Sequence, residues 1–263
     1  NGAAVFVGDN PTSGAVVNYY QKSRHLFGKL KIEVLDPDGK VLDELPASPR
    51  RGLNRVVWSM REKAPRVPPA VQLADAGTQG PLVLPGTYTV RMTRGSEIYA
   101  AKLPVELDRR ATYTLADRRH QYDAAMRIAG LFAEESALMG RIQALRGELA
   151  ERGSVTTDAA LKKRITDFDG KVDAVRKRIV ATTEGGAITG EERLREETDK
   201  VYGAVLSYDG APTAYQLERI DVLQAEFNDI DAQFGTLMKQ DLPALNTALA
   251  AGGLLAIDVP AEV

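Results

Sequence analysis

Two histidines, His25 and His120, are the only imidazoles in the 263-residue chain, and there is no cysteine. His120 closes Asp117-Arg118-Arg119-His120, a spacing that sets a carboxylate and an imidazole on one helix face, as di-metal helical sites require. Such sites need two of these motifs and two further inward carboxylates. His25 falls instead in a strand-like half, so a surface or domain-interface histidine is expected and a metal site is not. Asp36-Pro37-Asp38-Gly39 has the oxygen-rich start of a calcium loop. Its twelfth position is Ala47 where a bidentate Glu belongs, and a proline follows the first ligand; a plain turn is expected. Asp9 and Asn10 are further loop oxygens that can join a calcium site.

Paired acids are plentiful: Glu134/Glu135, Asp167/Asp169, Glu191/Glu192, Glu196/Glu197 and Asp229/Asp231. Glycoside hydrolysis needs two carboxylates facing each other across a cleft, one with its pKa raised by burial. These pairs fall on the solvated faces of helices. Glu135 differs, standing at a seam position between Leu131 and Leu138, where a partly buried carboxylate paired with an arginine is expected. Lys162-Lys163-Arg164 and Arg176-Lys177-Arg178 repeat two heptads apart and line one side of a helix. Asp158, Asp167, Asp169, Asp173 and Glu184 dilute that charge, so a solvated face is expected rather than a polyanion site. Trp58 runs in phase with Val56 and Met60 and reads as core rather than as a sugar platform. No phosphate loop, dinucleotide fingerprint, nucleophile elbow or zinc-protease motif is present. No catalytic, cofactor-binding or metal-binding residue is therefore assigned, and no cofactor is expected.

The elements that carry these residues are easier to read. Ten of the 13 prolines lie at or before Pro104, marking a strand-and-turn half followed by a helical half. Period-2 alternation runs through Leu30, Ile32 and Val34, then Val56 and Trp58, then Tyr88, Val90 and Met92, then Tyr99, Ala101, Leu103, Val105 and Leu107. About seven short strands over residues 1–112 predict an immunoglobulin- or fibronectin-III-like β-sandwich. The proline-rich stretch 64–84 is expected to wrap an edge or end of it.

From residue 113 to 263 the period becomes helical. Helix one is predicted over 114–151, its first turns near His120 and Tyr122 reaching toward the strand half. Helix two is predicted over 158–182, helix three from a capping box at Thr189-Gly190-Glu191-Glu192, and helix four from a second box at Thr213-Ala214-Tyr215-Gln216, ending before Pro243. Helix four carries the strongest seam: Ile220, Leu223, Phe227, Ile230, Phe234 and Leu237. An antiparallel up-down-up-down four-helix bundle with an irregular C-terminal tail follows, giving an α+β multidomain chain.

A formal charge of −2, from 34 basic and 36 acidic residues, gives no electrostatic case for nucleic acid. No apolar run approaches the roughly 20 residues of a membrane helix. The chain begins at Asn1 without a basic-then-apolar leader, and an upstream segment is expected.

Several short words occur in a fixed order: Gly8-Asp9-Asn10-Pro11, Gly14-Ala15, Tyr19-Tyr20, Gly52-Leu53-Asn54-Arg55-Val56-Val57-Trp58, and Gly80-Pro81-Leu82-Val83-Leu84-Pro85-Gly86-Thr87-Tyr88. Tyr202-Gly203, Ala211-Pro212-Thr213 and Asp241-Leu242-Pro243-Ala244-Leu245-Asn246 follow in the helices. In these words the chain resembles, over nearly its whole length, the C-terminal region of large bacterial BNR-repeat or sortilin-type glycosyl hydrolase-like proteins. It departs from their pattern at the acidic run 191–197, where a proline-containing entry to helix three is expected. The resemblance places the parent's catalytic machinery in an upstream β-propeller and carries no catalytic residue into this chain. It implies a non-catalytic accessory region that supports the propeller and meets partners, the propeller first and then a protein or a polysaccharide. It also implies a periplasmic or extracellular location. The alternative is a carbohydrate-binding module of a secreted glycoside hydrolase.

Overall fold

Period-2 alternation and helical stripes become separate elements in the computed structural model, which describes residues 12–185 and 190–258. The chain is α+β, with two antiparallel sheets followed by helices. It divides into a sheet unit, Asn1–Lys63 with Gly80–Leu115, and a helical unit, Ala64–Gln79 with Ala116–Val263. The stretch expected to wrap the strand half is therefore corrected. Its first sixteen residues, Ala64–Gln79, belong with the helices.

In the sheet unit, β1 (Ala15–Gln21) pairs with β4 (Gly52–Trp58), while β2 (Leu30–Leu35), β3 (Val41–Leu45), β5 (Gly86–Arg94) and β6 (Glu97–Val105) form a sheet in the order β3-β2-β5-β6. The inward residues of both sheets share one core, with Ile32, Val34, Val56, Trp58, Tyr88 and Val90 buried. Trp58 is fully buried, with its ring tilted 56° against Tyr88 at 5.3 Å between centroids. The Tyr88 hydroxyl donates to Leu84 O at 2.7 Å. Alternation is less reliable at β6, where Tyr99 stays 53% exposed, because β6 is an edge strand and the two-stranded sheet is too narrow to cover all four strands. The 36–39 stretch is a turn: Asp36 Oδ1 accepts the N–H groups of Asp38 and Lys40, and Gly39 takes φ 87°. Asp9 and Asn10 lie outside the described residues.

On the opposite face of β2, Glu33 stands directly across from both Glu44 and Arg91. Like charges facing across a ladder are destabilising. Lys31 resolves this by bridging Glu33 at 2.7 Å and Glu44 at 2.8 Å, and Arg91 adds a second cation at 2.9 Å. The Lys31 ammonium leads in holding the Glu33 carboxyl below its ordinary value, against the effect of burial.

In the helical unit, α1 (Leu115–Val155) is a rod of about 60 Å at 1.5 Å per residue. Its stripe Ile128, Leu131, Leu138, Ile142, Leu145 and Leu149 is buried throughout, and its first turns contribute Ala124 and Ala125 to a core cluster with Tyr202 and Ile220. α2 (Ala159–Ile179) buries Leu161, Ile165, Phe168, Val172, Val175 and Ile179. Its N-cap is Asp158, whose carboxylate accepts from Ala160 and Leu161 N–H. α3 (Leu194–Leu206) begins later than the Thr189 box predicts. Thr189 lies outside the described residues, and Glu196 at N3 reaches back to Arg193 N–H at 3.1 Å. α4 (Ala214–Thr236) opens on the reciprocal Thr213/Gln216 box as expected.

The end of α4 departs from the reading. Pro243 does not stop it: a π turn, Leu237–Asp241, carries the helix on into α5 (Leu242–Ala251). The buried positions explain why. They run Ile220, Leu223, Phe227, Ile230 and Phe234, then Met238, Leu242, Leu245 and Leu249, so three four-residue steps follow one another from Ile230 to Leu242 where the seam predicts Leu237. The extra residue of a π turn absorbs that slip and keeps the stripe facing the core. The same shift breaks the α-type register at the point where Pro243 has no N–H to give. The segment expected as a tail thus supplies Leu245, Leu249 and Ile257 to the core.

Candidate functional site: the strap and its seat

Residues 64–79 have little hydrogen bonding of their own, only a single 3-10 turn at Ala76–Thr78. Prolines at 65, 68 and 69 remove donors and stiffen the path. The helical unit supplies the missing partners. Ser136 Oγ donates to Arg66 O at 2.6 Å, Gln72 Nε2 donates to Glu191 O at 2.9 Å, and the Tyr202 hydroxyl donates to Gln79 O at 3.0 Å. The Asp199 carboxylate accepts from Gly77 N–H at 2.7 Å and Ala76 N–H at 3.4 Å. Val67 and Ala76 pack on the cluster around Ile128, Phe132 and Tyr202, and Ala70 on the larger core. The stretch is a strap seated on α3.

Two glycines set the closeness of that seat. A Cβ at Gly77 would meet Val67 Cγ2 at 2.5 Å and Asp199 Oδ1 at 3.3 Å, and one at Gly203 would meet Ala76 Cβ at 3.2 Å. Phe132 meets the Tyr202 ring edge-on at 5.7 Å, fixing the residue before Gly203.

Beside the strap lies an open groove of about 570 Å³, lined on one side by Gln72, Leu73 and Asp75 and on the other by Glu192, Asp199 and Lys200. Its lining acids Glu192, Glu196 and Asp199 are engaged. Asp199 holds the strap, while Glu192 and Glu197 share Lys200, and Glu197 also takes Arg219 at 2.9 Å. Glu191 accepts Thr182 N–H at 2.7 Å and Thr183 N–H at 3.1 Å. Those backbone bonds, Thr182's first, and Arg193 hold its carboxyl down at about 2.

Beneath the groove is a buried polar cluster. Glu135 and Thr198 are fully buried, and Arg195 and Glu196 nearly so. Arg195 Nη1 donates to Glu196 Oε1 at 3.0 Å, and Glu196 Oε2 accepts the N–H groups of Ala181 and Arg193, each at 3.1 Å. Glu135 is thus not the arginine-paired carboxylate its seam position predicts. Its hydrogen-bond partner is Thr198 at 2.8 Å, its Oε2 has no hydrogen bond, and burial pushes the carboxyl up to about 8.

The other residues weighed on sequence grounds are scattered. His120 is exposed on α1, while His25 lies in the sheet unit with Nε2 3.0 Å from Gly28 O. Among the described residues, no three His, Asp or Glu gather as a metal site. On α2 the second basic run is neutralised and the first only at its centre: Arg176 and Lys177 meet Asp173, Arg178 meets Asp229, and Lys163 meets Asp167. Asp169 receives both arms of Arg146, and Glu134 accepts from Gln224. Among the described residues, no helix is long and apolar enough to cross a membrane. Asp199, Thr198, Tyr202 and the strap were not predicted; Asp199 and Gly77 are 122 residues apart, and no local pattern joins them.

Comparison with known proteins finds no matching family model, no matching curated protein and no matching solved structure.

Proposed function

We propose that this chain is a non-catalytic accessory region of a larger exported, propeller-bearing, glycosyl hydrolase-like protein, serving to support the propeller and to present surfaces to partners. The observation that carries the reading is the use of three acids in and beside the groove. Asp199, Glu191 and Glu196 each accept two backbone N–H groups, an arrangement that fixes chain segments rather than holding a carboxyl ready to exchange protons with a substrate. Within this proposal the sheet unit is an immunoglobulin- or fibronectin-III-like sandwich and the helices an antiparallel bundle. The Tyr88 hydroxyl bond four residues back to Leu84 O supports the first, being the pattern of a tyrosine corner. The test is incubation of the purified chain with a panel of aryl glycosides and plant polysaccharides. No turnover is expected, and turnover abolished by one Asp or Glu substitution overturns the reading.

A second reading, a carbohydrate-binding module, draws on the outer face of β1 and β4. Tyr20 and Leu53 are cross-strand partners exposed by 66% and 73%, and beside them Arg55 Nε donates to Asn18 Oδ1 at 3.1 Å. Polysaccharide binding without turnover, lost in Tyr20→Ala, favours this second reading.

A further inference from the structure

Thr198 has one hydroxyl proton and faces two acceptors, Leu194 O at 2.9 Å and Glu135 Oε1 at 2.8 Å. Both contacts are hydrogen bonds together only if a second proton is present. A backbone carbonyl cannot carry it, so it belongs on Glu135. The neutral carboxyl then donates to Thr198 Oγ1, and Thr198 donates to Leu194 O. Glu135 Oε2 is buried without a partner, as a carbonyl oxygen tolerates far better than a carboxylate oxygen does.

The same cluster holds the means to respond when that proton leaves. Arg195, 3% exposed, places one nitrogen on Glu196 while its Nε has no partner. The charged groups acting on Glu135 are Glu196 and Arg195 from α3 and Glu134 from its own helix. Glu196 in turn fastens Arg193 and Ala181 at the start of α3, and α3 carries the Asp199 and Tyr202 that hold the strap.

We propose that the α1–α3 seam is a proton-operated latch. While Glu135 is neutral, Arg195 stays with Glu196 and the strap is seated. When Glu135 releases its proton to solvent, the guanidinium turns from Glu196 to the new carboxylate, the first turn of α3 loosens, and the strap lifts. Burial, the largest influence on the Glu135 carboxyl, acts with Glu196 and Glu134 to favour the neutral form, against Arg195 and the hydrogen bond that Thr198 can donate to the ionised form. Because the folded value is raised, to about 8 from 4.5, the stabilisation is fully present below the unfolded value and is lost as pH rises through the folded one.

The test uses the full chain with 13C-labelled glutamate side chains, with Glu135→Gln identifying the Glu135 resonance. A carboxyl carbon titrating well above the ordinary carboxylate range is expected, and titration within that range overturns the proposal. Hydrogen exchange at Gly77 N–H reads the strap. Wild type and Glu135→Gln are compared at the same pH, so that the intrinsic acceleration by base cancels. Equal protection is expected at slightly acid pH. About one pH unit above the Glu135 midpoint, where the carboxyl is about ten to one ionised, wild-type protection should be roughly tenfold lower than that of the variant. Equal protection at both pH values overturns the latch even if Glu135 is neutral. Should Glu135→Gln not fold, Glu135→Asp replaces it for assignment and Thr198→Ser as the second exchange comparison. Retained alkaline loss in Thr198→Ser supports the latch, and its absence in both wild type and Thr198→Ser sinks it.

Discussion

Asp199 shows how much one side chain can organise. Its two oxygens meet consecutive backbone donors at Ala76 and Gly77, groups that would otherwise be part-buried without partners. Asp199→Ala should therefore destabilise the helical unit by about 2 to 4 kcal/mol, the cost of unmet donors added to the lost charge-assisted bonds, as read by urea unfolding. Asp199→Asn keeps one acceptor oxygen and should cost less. Glu191 gives a different signature. Its carboxyl is lowered to about 2 from 4.5, so its stabilisation is present above the unfolded value and is lost as pH falls through the folded one. Between about pH 5 and 2 the melting temperature of wild type should fall more steeply than that of Glu191→Gln, and parallel curves would remove Glu191 from the acid response. Sequence singled out Glu135 as a seam acid, because its neighbours in the heptad are apolar. It misidentified the partner, because pairing with Thr198 is decided by the packing of helices 63 residues apart in sequence.

At the scale of elements, stripes were legible where burial is one-sided. The helical spacing of Leu161, Ile165, Phe168, Val172, Val175 and Ile179 predicts the stripe of α2, and all six are buried, since the opposite face is densely charged and leaves one solution. α3 was harder: the spacing of Leu194, Val201, Val205 and Tyr208 predicts its stripe, and Leu194 and Val205 are buried, but Tyr208 is exposed by 57% and Tyr202, Thr198 and Arg195 are buried as well. A helix covered by the strap as well as by other helices has no single polar face to reveal its phase. β1 escaped for a related reason, since Val16 and Tyr20 make its outer face as apolar as its inner one. At the α4–α5 junction, Pro243 is a strong stop by propensity, and only the run of three four-residue steps shows that the helix goes on. Pro243→Ala restores a donor and should stabilise the chain by about 1 kcal/mol or more. Urea unfolding of the variant checks this, and a loss of stability would mean that the π turn is held by Lys171 and Asp241 rather than by the proline.

For the whole molecule, the strap changes what counts as a separable part. The helical unit is made of two stretches, Ala64–Gln79 and Ala116–Val263, so a fragment beginning at residue 116 lacks part of its own packing. That fragment should unfold at lower urea than the helices do in the full chain, and a synthetic 64–79 peptide should restore part of the loss. A fragment of undiminished stability would show that the strap is an ornament on a complete core. Cleavage between residues 107 and 122 should likewise leave the two pieces associated through the strap on a sizing column. The proline shift near Pro104 made a boundary visible in sequence. The return of residues 64–79 to the helices was not visible, because prolines mark a lack of regular structure without saying which unit an irregular segment joins.

The distance along the chain between strap and seat also sets an order of events during synthesis. Gly77 leaves the ribosome 122 residues before Asp199, which at roughly 5 to 20 residues per second is on the order of ten seconds. For that interval Val67 and Ala76 lack the α3 side of the cluster they pack on. Strap capture is consequently a late, long-range closure, of the kind that slows folding most. Substitutions at Gly77, Asp199 or Gly203 should lower the yield of soluble chain at elevated growth temperature before they lower the melting point of the protein that survives.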